Sequence, residues 1–226
     1  MTTRIAILAS GAGTNARALL DAASRGDLGD AEVVAVLADK AGCGALAVAA
    51  QAGVEALFVD PAPHIPAGPA GIDGLAAGRA GYGDVLVAAL QARNVDLVCL
   101  SGFMRILSPG FIAAFEGRVL NIHPALLPAF PGAHAVRDAL AWGVKVTGTT
   151  VHFADEAVDH GPIVAQECVP VLPGDDEETL HERIKAVEHR LYPEAVRLVV
   201  SGRTRISGRR VDVDAGGPIT SRAAAR

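Results

Sequence analysis

The chain has 226 residues, half of them hydrophobic and only 4% aromatic, with a net charge of −5 at pH 7. That length suits one compact domain with a sizeable core, built largely from small Ala and Val side chains. The acidic balance and scattered basic residues exclude a general nucleic-acid binder, which needs a basic patch. A small anion, held by a few backbone N–H groups and one or two Arg residues, stays open.

Ile5–Ala9 is a continuous apolar run and reads as a buried strand. Ser10-Gly11-Ala12-Gly13-Thr14-Asn15 follows as a Gly-rich turn, and Ala16–Ala23 as a helix. A strand at Glu32–Leu37, a helix at Ala45–Ala52 and a strand at Ala56–Val59 continue the alternation. The pattern predicts an α/β fold of Rossmann-like type, a mostly parallel twisted sheet with helices on both faces. Asp60–Gly81, crowded with Pro, Gly and Ala, reads as a surface loop. Tyr82–Arg93 resumes as helix, Asp96–Leu100 and Gly117–Ile122 as strands, and Ala125–Ala133 as a stiff Pro-bearing loop. Ala135–Trp142 is a helix, and Lys145–Phe153 and Gly161–Val171 are strands. Asp175–Val200 is a long helix, acidic in its first turn where the dipole favours negative charge, and ended or kinked by Pro193.

The organisation expected is one domain over residues 1–200 and a poorly ordered tail over 201–226. Cys43, Cys99 and Cys168 show no paired spacing, which fits a reducing, cytoplasmic setting. No apolar run reaches membrane-spanning length, and Ile5–Ala9 is too short for a signal segment.

Three places can carry chemistry. The turn at Gly13, Thr14 and Asn15 offers N–H groups and a helix dipole to a phosphate, or is an ordinary turn whose Thr14 or Asn15 caps the helix. It lacks the third glycine of the dinucleotide fingerprint and the Walker lysine. Asn121 and His123 lie two apart on a strand, so they share a face, and Pro124 holds His123 extended. An amide donor beside an imidazole suits acyl transfer; a solvated strand end is the plain alternative. Thr150 and His152 form a second same-face pair, followed by Asp155, Glu156 and Asp159-His160-Gly161-Pro162, which is otherwise a solvated acidic loop. No His or Cys spacing fits a metal site, and no nucleophile elbow is present.

Several motifs in order carry a resemblance: Leu100-Ser101-Gly102-Phe103-Met104-Arg105-Ile106-Leu107-Ser108, Asn121-Ile122-His123-Pro124-Ala125-Leu126-Leu127-Pro128, Gly148-Thr149-Thr150-Val151-His152-Phe153, Asp159-x-Gly161-Pro162 and Glu188-His189-x-x-Tyr192-Pro193. The set resembles the phosphoribosylglycinamide formyltransferases of purine synthesis, from Ile5 to about Val200. The resemblance implies 10-formyltetrahydrofolate as co-substrate, glycinamide ribonucleotide as acceptor and no metal. By motif, Asn121, His123 and Asp159 match the catalytic trio, Gly13, Thr14 and Asn15 the phosphate turn, and Glu188 the carboxylate that holds the nucleotide. Arg79 and Met104, Arg105, Ile106 and Leu107 match the folate site, with Asn121 touching folate as well and Thr150 and His152 in support. Ala125 and Thr150 stand where Ser is frequent in the family, and the Pro/Gly stretch before Arg79 is longer than the family pattern.

The implied mechanism is direct transfer: Asn121 and protonated His123 stabilise the oxyanion, while Asp159 orients and charges His123 and helps move a proton. Formyltetrahydrofolate deformylase is the rival, expected to carry a further N-terminal domain and to need no amine. Methionyl-tRNA formyltransferase is expected to add a C-terminal domain and a positive surface. A non-catalytic nucleotide-binding module would leave the trio without a task. Oligomeric state stays open between monomer and homodimer, and the position of the 125–133 loop suggests a lid.

Overall fold

The computed structural model describes residues 1–65 and 72–214. Five strands, β1 (Thr3–Ala9), β2 (Ala31–Ala38), β3 (Glu55–Phe58), β4 (Leu97–Ser101) and β5 (Val119–His123), pair in parallel in the order β3-β2-β1-β4-β5. β6 (Val146–Phe153) and β7 (Ile163–Pro170) then continue the sheet antiparallel. Helices α1 (Thr14–Ser24), α2 (Gly44–Gln51) and α6 (Glu177–Val200) cover one face, and α3 (Ile72–Gln91) and α4 (Pro109–Ala114) the other. α5 (Ala135–Trp142) packs beside the start of α6.

β1 shows why its sequence is apolar throughout. Ile5, Ile7 and Ala9 join the core under α1, α2 and α6, while Ala6 and Leu8 join the core under α3 and α4. A strand covered on both faces has no solvent side on which to place polar residues.

Four stretches differ from the sequence reading. Residues 72–81, expected as loop, form the first turns of α3. Just beyond them, a Cβ on Gly83 would sit 2.1 Å from the Ser108 hydroxyl, so α3 lies close against the start of α4. The remainder of the expected loop, residues 66–71, lies outside the described residues. α4 itself was not anticipated, although Ser108 caps it by accepting from the Phe111 N–H at 3.2 Å and Pro109 opens it.

Pro193 does not end α6, because the helix runs on to Val200. Tyr192, Ala195, Val196 and Leu198 are buried on either side of the proline. Four such side chains, at roughly 1.5–3 kcal/mol for each large one, outweigh the ~3 kcal/mol that an interior proline costs. Beyond residue 200, strands β8 (Thr204–Ser207) and β9 (Arg210–Val213) form a hairpin, and one parallel bridge from Ile163 to Arg210 joins it to β7. Gly208, at φ 60°, supplies the left-handed residue of its two-residue turn. Residues 204–213 of the expected tail thus carry a hairpin at the edge of the sheet.

Tyr192 places α6 on the sheet. It is fully buried, and its hydroxyl lies 3.0 Å from the carbonyls of Leu100 and Leu120, between β4 and β5. Glu188 is one helical turn earlier on the same face. Docking the tyrosine thus carries the Glu188 carboxylate to the end of the sheet where the parallel strands finish.

Candidate active site

β5 and β6 pair antiparallel with Asn121 opposite His152 and His123 opposite Thr150. The two same-face pairs expected from the sequence are therefore direct partners across one ladder. Asn121 Nδ2 donates to His152 Nε2 at 3.1 Å and reaches Asp159 Oδ1 at 3.3 Å. His152 Nδ1 faces the Phe153 carbonyl at 3.0 Å, which fixes its proton on Nδ1 and leaves Nε2 to accept.

Asp159 comes from the loop between β6 and β7. Its Oδ2 accepts from the Gly132 N–H at 2.7 Å and lies 3.3 Å from His123 Nδ1. His123 Nε2 meets the Phe130 carbonyl at 2.8 Å. Such a distance to an acceptor-only oxygen requires the proton on Nε2. Phe130 and Asp159 both have left-handed backbones, at φ 53° and 51°. Strain at non-glycine residues is held here by the bonds on either side, as at many functional sites.

Burial pushes the His123 imidazole down, and nearby His152 adds to this. The Asp159 charge and the Phe130 carbonyl oppose them without restoring the ordinary value. For Asp159, burial pushes upward, but His152, His123 and the Gly132 N–H together carry the carboxyl below its usual range. At neutral pH a neutral imidazole therefore faces an ionised carboxylate, across a 3.3 Å gap too long for a firm bond.

Thr150 does structural work at the rim. Its hydroxyl donates to the Ala125 carbonyl at 2.6 Å and accepts from the Leu127 N–H at 3.1 Å and from Gln166 at 2.9 Å. These bonds fix the start of the 125–133 loop, whose Phe130 and Gly132 then reach the trio.

A second cluster adjoins the first. Gly13 is the N-cap of α1 at φ 79°, and a Cβ there would lie 2.5 Å from Ala45 Cα, so only glycine lets α1 and α2 approach this closely. Neither Thr14 nor Asn15 caps the helix, which corrects that alternative. Asn15 instead donates to Glu188 Oε2 at 2.8 Å. The first N–H groups of α1 are left without a side-chain cap, beside a buried carboxylate. Burial raises the pKa of Glu188, while Asn15, Thr149 and the charge of Lys185 hold it down in part.

Two members of this cluster escaped the sequence reading. The Thr149 hydroxyl lies 3.1 Å from the His123 carbonyl and 3.4 Å from Glu188 Oε1, linking the clusters. Lys185, three residues before Glu188 on the same helix, bears on that carboxyl only through its charge, because its Nζ donates to Glu182 at 2.7 Å.

Met104 and Ile106 are exposed apolar side chains just past β4, whose Leu100 pairs with Asn121. Arg79 borders a narrow cleft with Tyr82, Phe103, Arg105, Ile106 and Leu107. The Arg105 side chain bonds Asp39. A wider, open depression lined by Phe130, Pro131, Asp138 and Trp142 lies on the outer side of the loop and contains none of the trio. No trio of metal-ligating side chains is gathered among the described residues, and no helix among them is long and apolar enough to cross a membrane.

A family profile described as formyl transferase matches residues 3–196. Phosphoribosylglycinamide formyltransferase of Mycobacterium tuberculosis (strain H37Rv) is 50% identical over 218 residues, covering 93% of this chain and 94% of that protein. The trifunctional purine biosynthetic protein adenosine-3 of Drosophila melanogaster is 43% identical over 205 residues, 90% of this chain and 14% of that longer protein. Among solved structures, glycinamide ribonucleotide transformylase 1 of Symbiobacterium toebii superposes with a TM-score of 0.86 at 48% identity, covering 94% of each chain. A formyltetrahydrofolate deformylase of Pseudomonas syringae shares the fold, with a TM-score of 0.81, at 22% identity and over 66% of that chain.

Proposed function

Because the chain belongs to the phosphoribosylglycinamide formyltransferases of the formyl transferase family, we propose that its strand-end cluster moves a formyl group from 10-formyltetrahydrofolate to the amine of glycinamide ribonucleotide. As an enzyme of that family it formylates glycinamide ribonucleotide in purine synthesis, using a folate co-substrate. The observation that carries the assignment of residues is the grouping of Asn121, His123 and Asp159 beside the Asn15–Glu188 pair.

In this reading the phosphate rests on the Gly13-Thr14-Asn15 turn, and Glu188 holds the nucleotide so that its amine faces β5. The folate lies along Met104–Leu107, with Arg79 at its outer end and Asn121 at its reacting end. The neutral amine attacks the formyl carbon, forming the new N–C bond and an oxyanion. Asn121 turns its more weakly held N–H, the one 3.3 Å from Asp159, onto that oxygen.

His123 begins neutral, with Nδ1 open toward Asp159. As the amine attacks, Nδ1 takes its proton, directly or through water. The imidazolium formed between the Asp159 carboxylate and the oxyanion stabilises both. The oxyanion then collapses, the bond from carbon to folate N10 breaks, and His123 returns the proton to N10. The formyl group has moved, and one proton has passed from amine to folate. The starting charge on His123 is where this account departs from the one the resemblance implied. We place the reaction in the cytoplasm, in keeping with cysteines that are unpaired among the described residues.

The test of the function is an absorbance assay of folate product, with and without glycinamide ribonucleotide. Product that forms only with the amine is expected; release that ignores the amine would make the chain a deformylase.

The protonation scheme predicts a pH profile. Measured as kcat/KM for the folate at saturating amine, the rate falls as pH drops through the His123 pKa, which lies below 6.5, and is level through neutrality. In Asp159→Asn the charge that raises this pKa is gone, so the midpoint of the residual activity moves to lower pH. A rate that instead falls as pH rises through 6.5 would mean that the imidazolium is required from the outset.

A further inference from the structure

Asp39 follows β2 directly, and its side chain is only 2% exposed. Burying a carboxylate costs several kcal/mol of lost hydration unless a partner compensates. Here the compensation is a single cation. Arg105 Nε donates to Asp39 Oδ2 at 2.5 Å, while Oδ1 has no hydrogen-bond partner among the described residues.

The arginine is also constrained from its other side. Its guanidinium lies 5.8 Å from the centre of the Tyr82 ring, and the Tyr82 hydroxyl is itself tied to the Val59 carbonyl at 3.0 Å. Two more bonds hold the residues just before it. The Ser10 N–H donates to the Gly102 carbonyl at 3.2 Å, and the Met104 N–H donates to the Ser10 hydroxyl at 2.9 Å. The chain leaving β4 is therefore fixed at three points to the ends of β1 and β2. With the backbone and Arg105 pulled inward, Met104 and Ile106 are left facing out, at 64% and 52% exposure.

An exposed apolar pair in a segment held this firmly has the form of a preset wall for a flat, partly apolar ligand. We propose that Asp39 is a positioning residue, which acts through Arg105 to hold the Met104–Leu107 segment in the shape that receives the folate. Asp39 touches neither substrate and takes no part in proton transfer. The inference rests on the placement of the folate along Met104–Leu107 given above.

The test is steady-state kinetics on the full chain for Asp39→Asn, Arg105→Met, the double variant and Ile106→Ala. Asp39→Asn keeps the shape and removes the charge. It is expected to raise the folate KM about tenfold, with kcat and the amine KM within about twofold of wild type. Adding Asp39→Asn to Arg105→Met should cost little more than Arg105→Met alone, because the two act as one unit.

Additive effects, or folate and amine KM rising together, would overturn the proposal in favour of a general structural role. Ile106→Ala separates the two inferences. If it leaves the folate KM unmoved, the placement of the folate fails; if it raises that KM while Asp39→Asn does not, only the positioning role fails. Should Asp39→Asn not fold, Arg105→Lys retains the charge that the carboxylate needs but loses the planar fork. An unmoved folate KM in Arg105→Lys would overturn the proposal equally.

Discussion

Asn121→Ala and Asp159→Asn should each lower kcat severely while leaving the fold in place. For Asn121→Ala the loss is that of an oxyanion donor, roughly 10²–10³ in rate. The same change strips His152 Nε2 of the N–H it accepts at 3.1 Å, and that imidazole is buried. An unsatisfied buried acceptor costs on the order of 1–3 kcal/mol, so melting falls by a few degrees as well.

Asp159→Asn removes the charge that receives the imidazolium, worth roughly 10²–10⁴ in rate. It is not a silent replacement sterically matched to the site. Both carboxylate oxygens take N–H groups, Oδ1 from Asn121 and Oδ2 from Gly132. Whichever way the new amide turns, its own NH₂ meets a donor. Turnover under saturating substrates, compared with thermal melting of the same preparations, reads both effects. Near-normal kcat in the two variants would remove Asn121 and Asp159 from the chemistry.

Gly161→Ala should damage both stability and rate, although no substrate atom is expected near it. A Cβ at Gly161 would stand 1.8 Å from the Phe153 carbonyl oxygen and 2.9 Å from its carbon. Neither can yield, since Phe153 ends β6 and its N–H bonds back to the Pro162 carbonyl at 2.9 Å. The loop must shift instead, and Asp159 is two residues away.

Overpacking of this kind costs roughly 1–3 kcal/mol, about 3–10 °C of melting temperature in a chain of this size. A displacement near 1 Å at a catalytic group can cost on the order of 10² in rate. Scanning calorimetry and kcat should therefore fall together, with the kinetic loss the larger. An alanine variant that melts normally at full activity would show that the Asp159 loop is not confined by Phe153.

What the sequence discloses, and what it hides, follows from which forces are local. The β1–turn–α1 unit is legible because a strand buried on both faces must be apolar throughout and because Gly13 occupies a left-handed position. Asn121 and His123 are legible from the two-residue period of a strand, and their pairing with His152 and Thr150 follows once register is known. Asp159 had no periodicity to mark it, and only family resemblance singled it out.

The start of α3 is hard to read because Gly74, Gly78 and Gly81 look like loop composition, although the helix begins at Ile72. The hairpin at 204–213 leaves little mark in the sequence, because four-residue strands carry almost no pattern and the bridge from Arg210 to Ile163 is remote in sequence. Pro193 misled for the opposite reason: a strong local rule lost to the burial of Tyr192 and its neighbours. Thr149 links the two clusters through a backbone carbonyl on one side, which no spacing of side chains announces.

The acceptor that holds the His123 proton on Nε2 is likewise main chain, the carbonyl of Phe130. Its consequence is a division of labour in heredity. A side chain at position 130 that accepts the left-handed φ of 53° leaves that oxygen where it is, so the tautomer of the imidazole is insulated from such point mutations there. It is exposed instead to insertions and deletions between residues 124 and 133, which would carry the carbonyl out of reach. In this stretch the length of the connection, more than the letters that fill it, is the inherited instruction for the chemistry.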